Sequence, residues 1–236
     1  MIPRIIHYCW FGGKPLPHDV KQCIKSWKKH CPDYKIIRWD ESNFDINAHP
    51  FCQAAYQAQA WAFVSDYARL KIVYEYGGIY LDTDVELLKK LDPLLVHECY
   101  LGIEQIIQLC NTGLGFGAVR GNAVIGKMLE QYDKVPFSLE KKYEIACPNL
   151  NNRVISDLGY IFCEEITNVK GATIYPPKYF DPLAPGSRAK NLLCNETYSI
   201  HHYSNSWGTS KERLKRKLVR LIGDEKVSKI KRVLDA

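Results

Sequence analysis

The chain of 236 residues has no run of about 18 consecutive apolar residues, so no segment of it is composed to cross a bilayer as a helix. A basic-then-apolar leader is also missing, because Arg4 is followed at once by the short strand-like stretch around Ile5, Ile6 and Tyr8. Both absences lead to the expectation of a soluble, cytoplasmic protein. The nine cysteines are an odd number with no Cys-x-x-Cys pair and no regular spacing, which argues against a disulfide framework and against structural zinc. Reduced, mostly buried thiols are expected instead. Internal repeats and low-complexity segments are lacking too. What remains, 46% hydrophobic and 12% aromatic residues, is enough material for a substantial core in one large domain.

Charge is distributed unevenly. Residues 1–210 are balanced, whereas 211–236 hold ten Lys or Arg against four Asp or Glu. In that tail Leu214, Leu218, Leu221 and Ile222, and then Val227, Ile230 and Leu234, recur at helical spacing. The pattern predicts two basic amphipathic helices divided at Gly223-Asp224, and hence a domain at 1–210 with a tail at 211–236. Such a tail either packs on the domain with a solvated basic face or docks on an anionic membrane surface, here the inner face of the plasma membrane. No stacking aromatics alternate with its charges, so nucleic acid is not an expected partner.

The first half alternates strands and helices. A strand is predicted over Arg4 to Trp10, a helix over Asp19 to Lys29 and a strand over Tyr34 to Trp39. A long helical stretch, Phe51 to Tyr76, follows and stops at Gly77-Gly78, directly before the apolar strand Ile79-Tyr80-Leu81. Further strands are predicted over Tyr100 to Glu104, Gly115 to Val119 and Tyr198 to Tyr203, with helices over Asn122 to Tyr132 and Asn151 to Leu158 and an irregular loop at Tyr175-Pro176-Pro177. This order implies an α/β fold with a mostly parallel central sheet flanked by helices and a functional cleft at the strands' carboxyl ends.

The most informative segment is Gly77 to Glu86, where Asp82 and Asp84 stand one residue apart at the end of a buried strand. In extended backbone, side chains at i and i+2 leave the same face and can converge on one cation. Unpaired acids at a buried strand end are costly unless a metal or cationic group compensates them. Oxygen ligands of this type suit Mg²⁺ or Mn²⁺, which keep positions open for substrate phosphates.

Four segments, taken together and in order, resemble glycosyltransferase family 32: Ile6-His7-Tyr8-Cys9-Trp10-Phe11-Gly12-Gly13, Ser65-Asp66-Tyr67-Ala68-Arg69, Gly77 to Asp84, and His201-His202 with Ser206-Trp207. That family includes bacterial capsule and lipopolysaccharide sugar transferases and fungal mannosyltransferases, and is similar in its core to the glucosyltransferase domain of clostridial toxins. The resemblance spans about Ile2 to Trp207. It implies a GT-A fold, a nucleotide-sugar donor, Mn²⁺ or Mg²⁺ as cofactor, and retention of anomeric configuration by a same-face route for which no nucleophile is assigned. Asp82, Asp84, Asp66 and Arg69 would then be the catalytic residues. By similarity Asp84 ligates the metal directly, with Asp82 reaching the ribose or acting through water. His201 and His202 leave a strand on opposite faces, so only one can meet the metal; the spacing to Trp207 favours His202 and leaves His201 to the core.

The resemblance also implies the substrate contacts. Trp10 would stack on the base, its alternative being a buried core residue, and Ser65, Asp66 and Arg69 would face the transferred sugar. Tyr80 would line the pocket, Asn111 and Thr112 would contact the sugar or the acceptor, and Ser206 and Trp207 would touch the diphosphate as a closing loop. The resulting expectation is transfer of a hexose, with UDP-galactose or UDP-glucose favoured, to a saccharide such as a lipid-linked oligosaccharide in capsule or lipopolysaccharide synthesis. Two other classes fit parts of the sequence. A haloacid-dehalogenase-type phosphatase also uses an apolar strand followed by Asp-x-Asp, but needs a second acidic cluster, for which Asp157, Glu164 and Glu165 show no arrangement. A sugar-binding module without catalysis would have no chemical need of Asp66, Arg69, Asp82, Asp84 and Trp207 together.

Overall fold

The structure is a computed structural model that describes residues 1–204; residues 205–236, with Ser206, Trp207 and the basic tail, lie outside the described residues. The chain runs β1 (Ile5–Cys9), α1 (His18–His30), β2 (Lys35–Trp39), α2 (Pro50–Gln57), α3 (Trp61–Tyr76), β3 (Gly78–Tyr80), β4 (Val85–Leu87), β5 (Cys99–Gly102) and β6 (Phe116–Ala118). It continues through α4 (Ala123–Asp133), α5 (Cys147–Asp157), β7 (Thr167–Val169), β8 (Ala172–Tyr175) and β9 (Ser199–His201). Seven strands form one sheet in the order β2-β1-β3-β6-β5-β8-β7, and β4 pairs with β9 in a small second sheet. Strands β1, β2, β3, β5 and β8 point the same way, while β6 and β7 run against them. The expected mostly parallel order therefore holds for strand direction. Antiparallel β6 is a short return strand inserted between β3 and β5, which sequence spacing does not reveal.

Strand alternation sorts the core into two layers. Ile6, Tyr8 and Trp10 pack on one face of the sheet with α1 residues Val20, Cys23, Ile24 and Trp27. Cys9, Phe11 and Tyr80 pack on the other, against α2, α3, α4 and α5. Helix α3 is buried continuously from Val64 to Leu70 because it lies between the sheet and its neighbouring helices, which is why Asp66 and Arg69 sit deep inside. All nine cysteines are free thiols, and seven are buried, as expected. Among the described residues no helix is long and apolar enough to cross a membrane.

The helical stretch expected over Phe51 to Tyr76 is two helices. Helix α2 closes with the Ala60 N–H on the Ala55 carbonyl at 2.9 Å and the Gln59 N–H on the Tyr56 carbonyl at 2.9 Å, with Gln59 left-handed at φ 54°. That is the Schellman arrangement, normally announced by glycine. Gln59 takes the glycine's place, so the break leaves no sign in the sequence. Helix α5 begins at Cys147, one turn before the expected Asn151, because Pro148 is accommodated in its first turn. Strands β4, β7 and β8 were not expected, each being only three or four residues long.

At Gly78, φ is 105° and a Cβ would lie 2.9 Å from His7 Nε2 and 2.9 Å from the Ile5 carbonyl oxygen, so glycine lets β3 close onto β1 there. His7 itself is fully buried, accepting from Trp39 Nε1 at 3.0 Å on Nδ1 and donating from Nε2 to the Gly77 carbonyl at 2.9 Å. Burial holds its imidazole neutral and pushes its pKa down to about 4. Folding stability carried by neutral His7 is thus complete above the unfolded value near 6.5 and is lost as pH falls toward 4. Between about pH 7 and pH 5 the native chain should lose about 2 kcal/mol relative to His7→Gln, which does not titrate. Urea unfolding at the two pH values measures this; equal losses in both proteins would exclude His7 as the cause.

Candidate active site

Strand β3 ends where its direction matters most. Asp82 and Asp84 do not continue it in extended form; they occupy a tight turn closed by the Val85 N–H on the Asp82 carbonyl at 3.0 Å, after which β4 begins. The two carboxylates converge all the same, and the imidazole of His201 from β9 joins them. One ligand atom from each of Asp82, Asp84 and His201 lies within 4.8 Å of the other two. His201 Nε2 is 3.2 Å from Asp84 Oδ1, and the backbone N–H of Ser204 donates to Asp84 Oδ2 at 2.7 Å.

The histidine expected at this point was His202, and the structure brings His201 there instead. Antiparallel pairing sets Val85 opposite His201 and Glu86 opposite Ile200, so extended backbone would bring Asp84 opposite His202. The backbone keeps that pairing, with the His202 N–H on the Asp84 carbonyl at 2.9 Å, yet the Asp84 carboxylate at the end of the turn meets His201. His202 instead meets Glu86, Nε2 to Oε2 at 2.8 Å, while His201 is the buried partner of the acids.

Helix α3 supplies the second half of the site. The Arg69 Nη2 lies 3.0 Å from Asp66 Oδ1 and 3.1 Å from Asp82 Oδ1, so one guanidinium joins α3 to the end of β3. Its Nε donates to the Ser65 carbonyl at 3.2 Å, and its plane lies 5.0 Å from the centre of the Tyr80 ring. Tyr80 in turn donates its hydroxyl to Asp82 Oδ1 at 2.9 Å. Gly113 closes this cluster from the loop before β6: a Cβ there would fall 2.6 Å from Asp82 Oδ2, 3.0 Å from Asn111 Oδ1 and 3.1 Å from Arg69 Nη1.

Electrostatics follow from burial and pairing. Desolvation pushes the Asp66 carboxyl up to about 6 despite Arg69 beside it. Burial raises Asp82 as well, against the lowering by Arg69. Asp84 is also buried, but the His201 imidazolium and the Ser204 N–H outweigh desolvation and bring it to about 2. Desolvation likewise disfavours charge on His201, yet Asp84 more than offsets it and raises that imidazole to about 9. Two carboxylates and one imidazole are a donor set that suits a divalent cation, and the three residues fit that group.

Several residues expected to touch substrate are placed behind the surface rather than on it. Trp10 is only 2% exposed: it continues the alternation of Ile6 and Tyr8 into the α1 layer, with Nε1 donating to the Lys14 carbonyl at 2.6 Å, so its face is not open to a base. Ser65 and Tyr80 are buried beneath Arg69 and Asp82. Thr112 is fully buried, accepting from Asn151 Nδ2 at 3.0 Å. Asn111 is occupied on both ends, its Nδ2 donating to Glu104 Oε1 and its Oδ1 accepting from the Gly113 N–H at 2.7 Å and the Cys147 thiol at 3.3 Å. These residues shape and support the site. Sequence reasoning did not find His201 as the third member, nor Gly113, Glu104, Cys147, Asn151 and Asp181 around it; the run Asn111-Thr112-Gly113 carried the one usable signal, a small residue beside a polar pair.

The site thus sets a carboxylate pair at a strand's carboxyl end in a mixed α/β sheet against a buried Asp–Arg pair on the preceding helix. Residues 17–101 match the family described as "Glycosyltransferase sugar-binding region containing DXD motif". Inositol phosphoceramide mannosyltransferase 3 of Schizosaccharomyces pombe is 30% identical over 146 residues, covering 60% of this chain and 40% of that protein. Inositol phosphoceramide mannosyltransferase 2 of the same yeast is 23% identical over 211 residues, covering 88% of this chain and 58% of that protein. The chain thus spans 40% and 58% of the length of these two relatives. Among solved structures, PaToxG Glycosyltransferase superposes with a TM-score of 0.50 at 18% identity, covering 66% of this chain and 68% of that one, which establishes the shared fold.

The two histidines separate by metal response. Mn²⁺ should raise the melting temperature of the native chain and of His202→Ala, whereas His201→Ala should bind Mn²⁺ at least about tenfold more weakly. A stabilisation by Mn²⁺ that survives in His201→Ala and vanishes in His202→Ala would restore the original assignment.

Proposed function

We propose that this chain is a metal-dependent, retaining glycosyltransferase that moves a hexose from a nucleotide sugar to a hydroxyl of a saccharide or lipid-linked acceptor. The observation that carries the reading is the convergence of Asp82, Asp84 and His201, from segments more than a hundred residues apart, beside the buried Asp66–Arg69 pair. A divalent cation held by those three residues supplies positive charge against the departing nucleoside diphosphate. Asp66, fixed by Arg69, accepts hydrogen bonds from hydroxyls of the donor sugar. Arg69 sets one positive charge between Asp82 and Asp66, which offsets part of the cost of burying them. Tyr80 and Gly113 keep Asp82 from rotating away, the first by its hydroxyl and the second by leaving room for it.

The donor is a hexosyl nucleotide. UDP-galactose and UDP-glucose are the donors expected from the sequence, and the names of the fungal relatives add a mannosyl donor as the second reading. The acceptor belongs with lipid-linked or membrane-bound saccharides on the cytoplasmic side, where the basic residues 211–236 would hold the enzyme against anionic lipid. The phosphatase alternative finds no support. Asp157, Glu164 and Glu165, the acids it would need, are all exposed and none joins the cluster at Asp82.

Purified protein with Mn²⁺ should release nucleoside diphosphate slowly from one member of a panel of nucleotide sugars, and a chelator should stop it. Asp84→Asn should lower that release at least about a hundredfold and also lower the melting temperature, because it removes a ligand together with the His201 ion pair that docks β9. Chelator-resistant release, or phosphate liberated from a phosphoester instead, defeats the proposal. Deleting the residues after Lys211 should weaken sedimentation with phosphatidylserine vesicles while leaving donor hydrolysis largely intact; full-length protein that ignores such vesicles removes the membrane role of the tail.

A further inference from the structure

The metal-ligand triad has two flanks, and only one of them is used by the reading above. On the donor flank stand Asp66 and Arg69, tied to Asp82. The other flank is also acidic. Glu104 follows β5 and Asp181 follows β8, and both strands run in the direction of β3, so their carboxyl ends open on the same edge of the sheet as Asp82. Asn111 joins the flanks, with Nδ2 on Glu104 and Oδ1 on Cys147, whose thiol in turn lies 3.8 Å from Arg69 Nη1.

Glu104 is held in place without being used up. Its backbone N–H donates to the Leu109 carbonyl at 2.9 Å and its carbonyl accepts from the Gln108 N–H at 3.1 Å, which closes a short rigid loop over the bridge between Ile103 and Cys110. Oε1 takes the Asn111 amide, and Oε2 has no hydrogen-bond partner among the described residues. The side chain is half-buried, so this oxygen is within reach of a ligand. Behind it, Asp181 is fully buried; Oδ2 accepts from the Gln105 N–H at 2.8 Å and the Tyr203 hydroxyl at 2.9 Å, while Oδ1 has no partner. Neither acid has a Lys or Arg ion-pair partner among the described residues, and the cation they face is His201, already paired with Asp84. Two carboxylates held together with unsatisfied acceptor oxygens repel phosphate. They suit neutral groups that donate hydrogen bonds, above all the vicinal hydroxyls of a sugar or cyclitol.

We infer that Glu104, backed by Asp181 and Tyr203, forms the acceptor subsite and receives a hydroxyl of a polyhydroxylated acceptor on the side of the triad away from Asp66. The inference rests on the transferase reading and adds to it the residue that orients the acceptor. No bond forms or breaks at Glu104; it accepts a hydrogen bond and fixes the hydroxyl toward the donor sugar. Tyr203, whose ring meets that of His201 edge-on at 4.2 Å, ties this subsite to the ligand histidine.

The test uses the full chain with Mg²⁺ and a saturating nucleoside diphosphate, UDP or GDP, and three neutral probes: methyl α-mannopyranoside, methyl β-galactopyranoside and myo-inositol. Binding is read by saturation-transfer NMR and nucleotide affinity by calorimetry. The Glu104→Gln substitution keeps the side chain's size and the acceptor for Asn111. It should weaken binding of whichever probe the native protein takes by at least about tenfold, with nucleotide affinity shifted by less than about twofold. Glu104→Asp, which retains the charge on a shorter stem, should fall between the two. The inference is overturned if the native chain binds none of the probes, if Glu104→Gln binds them as the native chain does, or if nucleotide affinity falls in step with probe affinity. A native chain that fails to bind either nucleotide with Mg²⁺ counts first against the transferase reading itself, and so the two failures are distinguishable.

Discussion

The burial of one guanidinium governs the rest of the site. Arg69 lies on a helix with its side chain only 4% exposed, and an unpaired cation at that depth would cost several kcal/mol. Two carboxylates answer it, Asp66 one turn earlier on the same helix and Asp82 at the end of the adjacent strand. The requirement acts across elements. It fixes how α3 and the β3–β4 turn meet, it places Asp82 to within a hydrogen bond, and it leaves the two acids with one positive charge between them. Desolvation shows in the raised Asp66 carboxyl, which Arg69 offsets only in part.

Charge accounting then explains why the pocket calls for a further cation. Asp66, Asp82, Asp84, Glu104 and Asp181 gather around Arg69 and His201, five acids for two cationic groups. A divalent ion at the triad would cut that excess where the acids are densest, and the diphosphate of the proposed donor would follow it there. The distribution is also directional. Arg69 makes one flank tolerant of an anion, whereas Glu104 and Asp181 make the other tolerant only of neutral or cationic groups, an asymmetry that the proposed transfer from a charged donor to a hydroxyl would use.

Those features that depend on strong local pattern were legible in the sequence. Glycine stopping α3 at Gly77, the apolar strand before Asp82, and the one-turn spacing of Asp66 and Arg69 each arise from short-range rules, and each stands in the structure as expected. Features that depend on an exception were not legible. Gln59 in a left-handed cap looked like helix, and Trp10 at a strand end looked like a stacking platform although alternation buries it. Glu104 and Asp181 gave no signal at all, because what makes them notable is the direction of β5 and β8, decided by the insertion of β6 between β3 and β5.

The choice between His201 and His202 shows how such an exception propagates. Period-two reasoning was sound for β9, whose neighbouring side chains do take opposite faces, but the choice of His202 rested on the spacing to Trp207, which does not report the face on which the carboxylates lie. Asp84 ends the turn closed by the Val85 N–H on the Asp82 carbonyl, still takes the His202 N–H on its own carbonyl at 2.9 Å, and turns its carboxylate to His201. The small β4–β9 sheet has only three paired positions on each strand, too few for the ladder alone to hold its register. Side chains complete the job: Asp84 receives His201 on one oxygen and the Ser204 N–H on the other, Glu86 receives His202, and Asp181 receives Tyr203. The carboxylate that offers a ligand to a cation is therefore also the one that docks the strand bringing the third ligand. Asp84 serves the cluster twice over, and which histidine it meets follows from the direction of its own side chain, which no spacing in the sequence reports.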